Sequence, residues 1–323
     1  MNTHQMLRRA TLVLLAALPG VTLAQDAKPL EWVVGYPAGG GSDVVARSVG
    51  EAMAKSLGRP VIVNNKPGAA TNIAADYVAK SKDYGNVIFT ADIATLAANP
   101  ALFSKLSYSA ERDFVSVGLL ARFPMLLVVA PNVPAKSYKE FVAWAKAAGS
   151  NGVNYASAGA GSPHHLAGEM LRQRSGLAMT HVPYRGAAPA VQDLIGGQVP
   201  VAMMDTASVL QHLVSGRLRA IGVASPQRLK ILPEVPTLAE QGLTGFEAYA
   251  WQGVVAPTGT PPEAIAKLNQ ALQVALDSTL VKARFQVLGL EPLPGTPAQM
   301  TRYAASERER WGKLIRDTGI KMD

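Results

Sequence analysis

Cysteine is absent from this chain of 323 residues. Its absence excludes disulfides, cysteine-based metal sites, thiol nucleophiles and a lipid attached to an N-terminal cysteine. A chain of this length does not depend on disulfides, because it can bury a large core. Hydrophobic residues make up 48% of the sequence, which is enough for such a core. We therefore expect a stable globular protein held together by apolar packing.

Runs of like charge are also missing. Charged residues make up 17% of the chain and the formal net charge is +8, but the Lys and Arg residues are scattered. A scattered distribution does not predict a nucleic-acid-binding surface. Two interpretations of the positive balance stay open: mild attraction of anionic ligands, or an ordinary basic protein.

No apolar run reaches the roughly 20 residues that a membrane-spanning helix needs. The apolar run at residues 10–18 follows Arg8 and Arg9 and precedes the small-residue pattern at 22–24. This order is typical of a secretory signal peptide. We expect cleavage after Ala24, which leaves a periplasmic chain with a formal charge of +6. An uncleaved anchor is the alternative.

A first strand-to-helix corner lies within residues 33–43, where an apolar strand runs into three glycines and a helix is predicted from Ser42. Glycines leave backbone N–H groups unshielded, and a helix directs the positive end of its dipole to the same place. Such corners bind anions. The spacing from Gly39 excludes a dinucleotide fingerprint, because Val44 stands at the third glycine position.

A second corner repeats this arrangement. The predicted strand 153–157 leads into a small-residue turn, with Ser162 as the helix N-cap and Pro163 at the first helical position. One such turn alone would only indicate a tight connection. Two of them predict a ligand with negative charge at both ends, bound between two lobes.

The order of predicted elements suggests how the lobes are built. Strands and helices alternate through residues 30–90 and again through 153–224, which implies parallel βαβ units. Two extended apolar pieces, 114–121 and 125–130, are suited to carry the chain between lobes, and 218–224 is suited to return it. This layout predicts a signal peptide at 1–24, a discontinuous first lobe at 25–123 plus 226–323, and a second lobe at 124–225.

Three local patterns give further expectations. Residues 61–63 predict a short buried strand. Thr260, followed by two prolines and a glutamate, predicts a helix cap. Thr296 with Gln299 predicts a capping box at the start of the last helix.

The sequence resembles a known family at five places. They are residues 36–43 (YPAGGGSD), 64–69 (NNKPGA), 99–103 (NPALF), 181–189 (HVPYRGAAP) and 232–238 (LPEVPTL). This order of motifs is similar to the Bug family, the periplasmic solute-binding proteins of tripartite tricarboxylate transporters. The resemblance covers nearly the whole mature chain.

The resemblance implies an α/β fold of the type II periplasmic binding protein class, with two βα lobes and a ligand cleft between them. It implies capture of a small mono- or dicarboxylate or acidic amino acid by a monomer, which delivers it to a membrane permease. No cofactor, metal, catalytic residue or nucleic-acid partner is expected. The ligand-binding residues it implies are Tyr36, Ala38, Gly39, Gly40, Ser42, Thr90, Ser157, Gly159, Gly161, Ser162 and Asp205.

Several side chains near the corners have two interpretations. Asp205 is either a helix N-cap or a ligand contact. Arg185 is either solvated or the cation beside the ligand. His164 and His165 are adjacent and point about 100° apart on a helix, so they cannot share one metal ion. Ser162 with His165 would suit an ester hydrolase, which is one alternative function, and a receptor for a signalling system is the other.

Overall fold

Two groups of strands and helices share one long strand in this protein. The computed structural model describes residues 28–322, so the predicted signal peptide lies outside the described residues. Within residues 28–322 we find no helix long and apolar enough to cross a bilayer.

The strands and helices follow one another in alternation through most of the chain. The strands are β1 (Leu30–Val34), β2 (Val61–Asn65), β3 (Val87–Asp92), β4 (Phe114–Val129), β5 (Val153–Ser157), β6 (Met179–Pro183), β7 (Val201–Asp205), β8 (Arg219–Val223), β9 (Tyr249–Pro257) and β10 (Glu291–Pro292). The helices are α1 (Gly41–Leu57), α2 (Asn72–Ala79), α3 (Asn99–Leu102), α4 (Tyr138–Ala147), α5 (Pro163–Ser175), α6 (Ala187–Ile195), α7 (Thr206–Val214), α8 (Pro262–Asp277), α9 (Thr279–Leu288) and α10 (Pro297–Thr318).

The strand β4 belongs to both halves of the sheet. In the first half β1 lies parallel between β2 and β3, while β9 runs antiparallel to both β3 and β4. In the second half β5 lies parallel between β6 and β7, and the end of β4 pairs with β7 and β8. The strand β4 changes its pairing partner between Pro124 and Met125. Pro124 lies opposite Tyr249 of β9, and Met125 lies opposite Asp205 of β7. The two extended pieces predicted from the sequence are therefore one continuous strand.

Apolar side chains cover both faces of the first sheet. Trp32 packs with α1, α8 and α9 on one face, whereas its neighbour Val33 packs with α2, α3 and α10 on the other. A strand that is covered on both faces is apolar at successive positions, which explains the apolar run Trp32–Val34 in β1; Glu31, near the start of the strand, is only partly buried. The second lobe has its own core around the second half of the sheet.

The return of the chain to the first lobe occurs later than the sequence predicts. Residues 218–224 do not cross between lobes, because β8 pairs with β4 inside the second half of the sheet. Apolar side chains between residues 229 and 248 pack in the second core, and the chain re-enters the first sheet at Tyr249. We therefore propose that the lobes divide near 124/125 and 248/249.

Two local expectations are wrong and one is confirmed. The strand β2 is an edge strand and not a buried one, since it pairs only with β1 and leaves Ile62 54% exposed. The cap of α8 is Pro261, which the following proline holds in an extended conformation. Thr260 instead donates its hydroxyl to the carbonyl oxygen of Pro257 at 2.8 Å. The capping box of Thr296 and Gln299 is present.

The close packing of α5 against β5 predicts that a larger side chain at Gly168 destabilises the protein. A Cβ atom at Gly168 would lie 2.2 Å from Cε2 of the buried Tyr155. Gly168→Ala should therefore lower the free energy of unfolding by about 1–3 kcal/mol in urea titrations, despite the better helix propensity of alanine. Gly196→Ala is the control, because its Cβ would meet nothing closer than 3.4 Å. Equal stabilities of the two variants would contradict this packing.

Candidate functional site

The first corner uses part of its backbone internally. The helix α1 begins at Gly41 with Gly40 as its N-cap, and Gly39 has φ +80°. The Gly39 N–H donates to Asp43 Oδ2 at 2.9 Å, and the Gly40 N–H lies 3.4 Å from the Pro37 oxygen. The first-turn N–H groups of Gly41 and Ser42 have no acceptor among residues 28–322. The free donors are thus those of Gly41 and of the predicted Ser42, whereas the N–H groups of Gly39 and Gly40 are used inside the corner.

A buried carboxylate holds this corner together. Asp43 accepts from Asn65 Nδ2 at 3.0 Å and from Arg47 Nε at 2.9 Å, in addition to the Gly39 N–H. Burial raises the pKa of Asp43, but the hydrogen bonds from Arg47, Gly39 and Asn65 outweigh burial, so its pKa lies below the ordinary value. Asp43 is therefore ionised at neutral pH.

The second corner has the predicted cap and a similar internal network. Ser162 is the N-cap of α5 and accepts the His165 N–H at 3.3 Å, with Pro163 at the first helical position. The Gly161 N–H donates to His165 Nδ1 at 3.0 Å, and the Gly159 N–H donates to Ser157 Oγ at 3.1 Å. Here too the predicted glycine donors already have acceptors.

The backbone donors left free at this corner are neighbours of those glycines. The N–H of Ser162 also points inward, to the Gly159 oxygen at 3.1 Å. In the described part of the chain, the N–H groups of Ala160 and His164 find no acceptor. These two groups are the donors that this corner can offer to an anion.

A third helix N-terminus joins the two corners. Asp205 is the N-cap of α7, accepting from the backbone N–H of Ser208 at 2.9 Å, and its Oδ2 lies 2.7 Å from His164 Nε2. A Cβ at Gly41 would lie 3.7 Å from that of Ala207 in the first turn of α7. The starts of α1, α5 and α7 therefore meet between the lobes, and the N-cap interpretation of Asp205 holds in the structure.

The Asp205 carboxylate is ionised despite its burial. Burial raises the pKa of Asp205, but the contacts with His164 and Ser208 lower it by more, so the pKa lies below the ordinary value. Both of its oxygens already have partners, because Oδ2 also accepts from Ser208 Oγ at 2.8 Å. Asp205 thus positions α7 and His164.

Tyr36 is bound to a second buried acid. Its hydroxyl donates to Asp92 Oδ2, while Asp92 Oδ1 accepts from the N–H and hydroxyl of Thr95 at 3.0 Å each. Burial is the main cause that raises the pKa of both Tyr36 and Asp92, and the charges of Asp92 and Asp205 raise that of Tyr36 further. Tyr36 is therefore a neutral donor fixed at the edge of the first corner.

Two buried polar atoms near this junction have no partner within residues 28–322. They are His164 Nδ1 and Gln252 Oε1, on residues only 7% and 5% exposed. The other polar atoms of these side chains are engaged, with Asp205 and with Ser42 Oγ respectively. Buried polar atoms of this kind usually bind a water or a ligand. Neither residue was predicted as a ligand contact: Gln252 reaches the site through a contact distant in sequence, and the sequence indicated of His164 only that it cannot share a metal ion with His165.

A pair of stacked histidines supports the second corner. The rings of His165 and His181 lie 3.7 Å apart at 12°, and His181 Nε2 lies 2.6 Å from Ser157 Oγ. Burial lowers the pKa of His165. Burial, together with the neighbouring His165, lowers the pKa of His181 to about 3. Both rings are therefore neutral at neutral pH.

The hydrolase and metal interpretations gain no support from this geometry. Ser162 Oγ accepts from the backbone N–H of His165, and His165 Nδ1 accepts from the Gly161 N–H. No hydrogen bond joins the Ser162 and His165 side chains within the described residues. Glu169 stands four residues after His165 but binds Tyr155 and Arg172.

The remaining predicted residues occupy different environments. Ala38 is exposed on the first corner. Thr90 is buried, and its hydroxyl accepts from Trp32 Nε1 at 2.8 Å inside the first lobe. Arg185 is exposed and has no bonded partner among the described residues. Its neighbours on both sides donate backbone N–H groups to the second corner, to the Ser157 oxygen at 3.0 Å and the Ala158 oxygen at 3.1 Å.

A cavity of about 850 Å³ lies away from the corners, between residues 225–231 and 282–292. Three of its basic side chains are already paired: Arg122 with Glu291, Arg228 with Glu240, and Lys282 with Asp277. The cavity contains none of the free helix donors, so we place the candidate site at the junction of α1, α5 and α7.

Comparisons with known proteins point to one family. A sequence model described as "Tripartite tricarboxylate transporter family receptor" matches residues 45–320. Protein BugT of Bordetella pertussis is 37% identical over 297 residues, covering 92% of this chain and 91% of BugT. R. palustris Rpa4515, solved with adipate, is 30% identical with a TM-score of 0.86, covering 92% of this chain and 99% of that one. MatC from Rhodopseudomonas palustris, solved with bound malate, is 34% identical with a TM-score of 0.81, covering 90% of this chain and 99% of MatC.

The neutral histidine pair predicts a loss of stability in acid. The pKa of His181 falls from 6.5 in the unfolded chain to about 3 in the fold, so between these values the unfolded chain binds more protons. The contribution of neutral His181 to the free energy of unfolding should therefore be fully present above pH 6.5 and should decline as the pH falls toward 3. His181→Phe keeps a stacked ring without the titration, so its free energy of unfolding should depend less on pH than that of the wild type. Urea titrations at pH 7.5, 5.5 and 4.5 measure this difference, and parallel profiles would contradict it.

Proposed function

Because the chain belongs to the tripartite tricarboxylate transporter receptor family, we propose that it captures a small carboxylate between its lobes and delivers it to a membrane permease. The ligand is a mono- or dicarboxylic acid or an acidic amino acid. The protein acts as a monomer in the periplasm, after cleavage of the signal peptide following Ala24. No chemical step on the ligand is part of this function.

The observation that carries the proposal is the meeting of three helix N-termini between the lobes. Each helix start carries a partial positive charge and N–H groups without internal acceptors. The free groups include those of Gly41 and Ser42 of α1 and that of His164 of α5. Because the surrounding hydrogen bonds already fix these donors, a carboxylate binds them with little loss of conformational freedom.

Side chains complete the proposed site around these backbone donors. His164 Nδ1 and Gln252 Oε1 are buried and unpartnered within the described range, so they suit a hydroxyl of the ligand or a bridging water. Arg185 adds a cation beside the second corner. Asp205 acts through His164, and the buried Thr90 does not take part. The unused acids are held by the protein, which limits their repulsion of the ligand.

The ligands of two solved relatives support the class of ligand. Adipate and malate are the molecules named for those structures, and both are small dicarboxylates. A site built of backbone donors recognises charge and length better than chemical identity. We therefore propose the carboxylate class for this chain and leave its chain length to the screen that follows.

A thermal-shift screen of residues 25–323 tests the function. The screen uses mono-, di- and tricarboxylates of two to eight carbons, acidic amino acids and aromatic acids. A ligand at 100 times its dissociation constant should add about 2.7 kcal/mol to stability. A shift confined to carboxylates of one length supports the proposal. A flat screen, on protein freed of bound ligand by unfolding and refolding, contradicts it.

Shielding the first corner should weaken binding without unfolding the protein. Gly40 has an extended backbone, and a Cβ there would meet only the Pro37 oxygen at 3.4 Å. Gly40→Val would place branched methyl groups over the free N–H groups of α1, and we expect at least a roughly tenfold loss of affinity, about the worth of one charge-assisted hydrogen bond. Ala298→Val, at the exposed first turn of α10, places the same branched side chain at another helix start and should bind normally in calorimetry. Unchanged affinity of Gly40→Val would remove α1 from the site.

A further inference from the structure

Two buried hydrogen-bond acceptors stand beside the free backbone donors of the proposed site. One is Nδ1 of His164, which lies in the first turn of α5. The other is Oε1 of Gln252, whose amide nitrogen donates to Ser42 Oγ in the first turn of α1. Both atoms are buried and have no partner within residues 28–322. A ligand that binds the backbone N–H groups of Ser42 and His164 therefore lies next to these two acceptors.

The neighbours of each side chain fix its role as an acceptor. Asp205 is ionised and its Oδ2 lies 2.7 Å from His164 Nε2, so the proton of the neutral imidazole is on Nε2. Nδ1 then presents a lone pair, and the carboxylate on the other side of the ring makes Nδ1 a stronger acceptor. The amide nitrogen of Gln252 faces Ser42, which leaves the amide oxygen to accept.

Both acceptors are connected to Tyr36, one from each lobe. Gln252 lies directly opposite Asp92 in the pairing of β9 with β3, and Asp92 accepts from the Tyr36 hydroxyl. On the side of the second lobe, Asp205 contacts His164, and its charge is close enough to raise the pKa of Tyr36. The two acceptors therefore belong to one junction.

An unsubstituted dicarboxylate has no group that can pair with these acceptors. Its carboxylates carry no hydrogen to donate, and its methylene groups would bury the acceptors without a partner, which costs affinity. A hydroxyl or an ammonium group on the carbon chain can donate to them. Sites that hydrogen-bond such a group discriminate strongly against the analogue that lacks it.

We propose that His164 and Gln252 select carboxylates that carry a hydroxyl or ammonium group on the carbon chain, with this group donating to His164 Nδ1 or to Gln252 Oε1. The two side chains thus recognise chemical identity, whereas the backbone donors recognise charge. This inference rests on the proposed function, since it concerns the ligand of the same site.

The wild-type protein tests the selectivity directly. Calorimetry compares succinate, malate and aspartate, or the unsubstituted, 2-hydroxy and 2-amino acids of the length found in the screen. At least one substituted acid should bind roughly tenfold or more tightly than the unsubstituted acid, because it pairs an acceptor that the other leaves unpaired. The malate and aspartate measurements distinguish a hydroxyl donor from an ammonium donor.

Two variants test the residues. His164→Gln keeps an N–H near the position of Nε2 for Asp205 but has no acceptor at the position of Nδ1, and Gln252→Met keeps the length of the side chain without its oxygen. At least one of them should reduce the preference for the substituted acid to about threefold or less, mainly by weakening that acid. The control is His212→Gln, because His212 Nδ1 is also buried and unpartnered among residues 28–322 but lies in the last turn of α7.

Several outcomes would overturn the inference. The first is a wild type that binds the three acids equally or binds the unsubstituted acid most tightly, as expected if only water occupies the acceptors. Others are a full preference in both variants, or an equal loss of preference in His212→Gln. If both variants fail to fold, the wild-type comparison decides alone. Equal binding of the three acids contradicts only the selectivity, whereas no binding of any carboxylate contradicts the proposed function as well.

Discussion

Every α-helix leaves the N–H groups of its first turn without internal acceptors, and this constraint shapes the region between the lobes. At both corners a glycine before the cap donates to a side chain in the third helical position, Asp43 or His165. The turn is thereby fixed while the first-turn donors stay free. At the third helix start, Asp205 caps α7 and contacts His164, so one hydrogen bond connects two helix N-termini.

The same region buries three carboxylates, and the protein stabilises each in a different way. Asp43 is ionised between Arg47, Asn65 and the corner backbone. Asp205 is ionised against His164 and Ser208. Asp92 has a pKa raised mainly by burial and is bound by Tyr36 and Thr95. The proposed site for anions thus lies among buried acids, each of which is satisfied by its own partners.

The sequence was sufficient for features that local rules govern. The two corners, the Ser162 cap and the capping box at Thr296 depend on residues within one helical turn. The inward direction of the Gly39 N–H was not predictable from glycine spacing, because it depends on the rotamer of Asp43. Gln252 reaches Ser42 across 210 residues, and no local pattern marks such a contact. The contact of the Thr90 hydroxyl with Trp32, 58 residues away, is likewise not marked by any local pattern.

The start of α7 and the second corner lie at different distances from the shared strand β4. Its partners change at Pro124 and Met125, and Met125 lies opposite Asp205, the cap of α7. The second corner follows β5, which lies two strands from β4, or about 10 Å at the usual strand spacing. For any rotation about this pivot, displacement grows with distance from it. In any such rotation the start of α7 would therefore move least against the first lobe, and the second corner would move further.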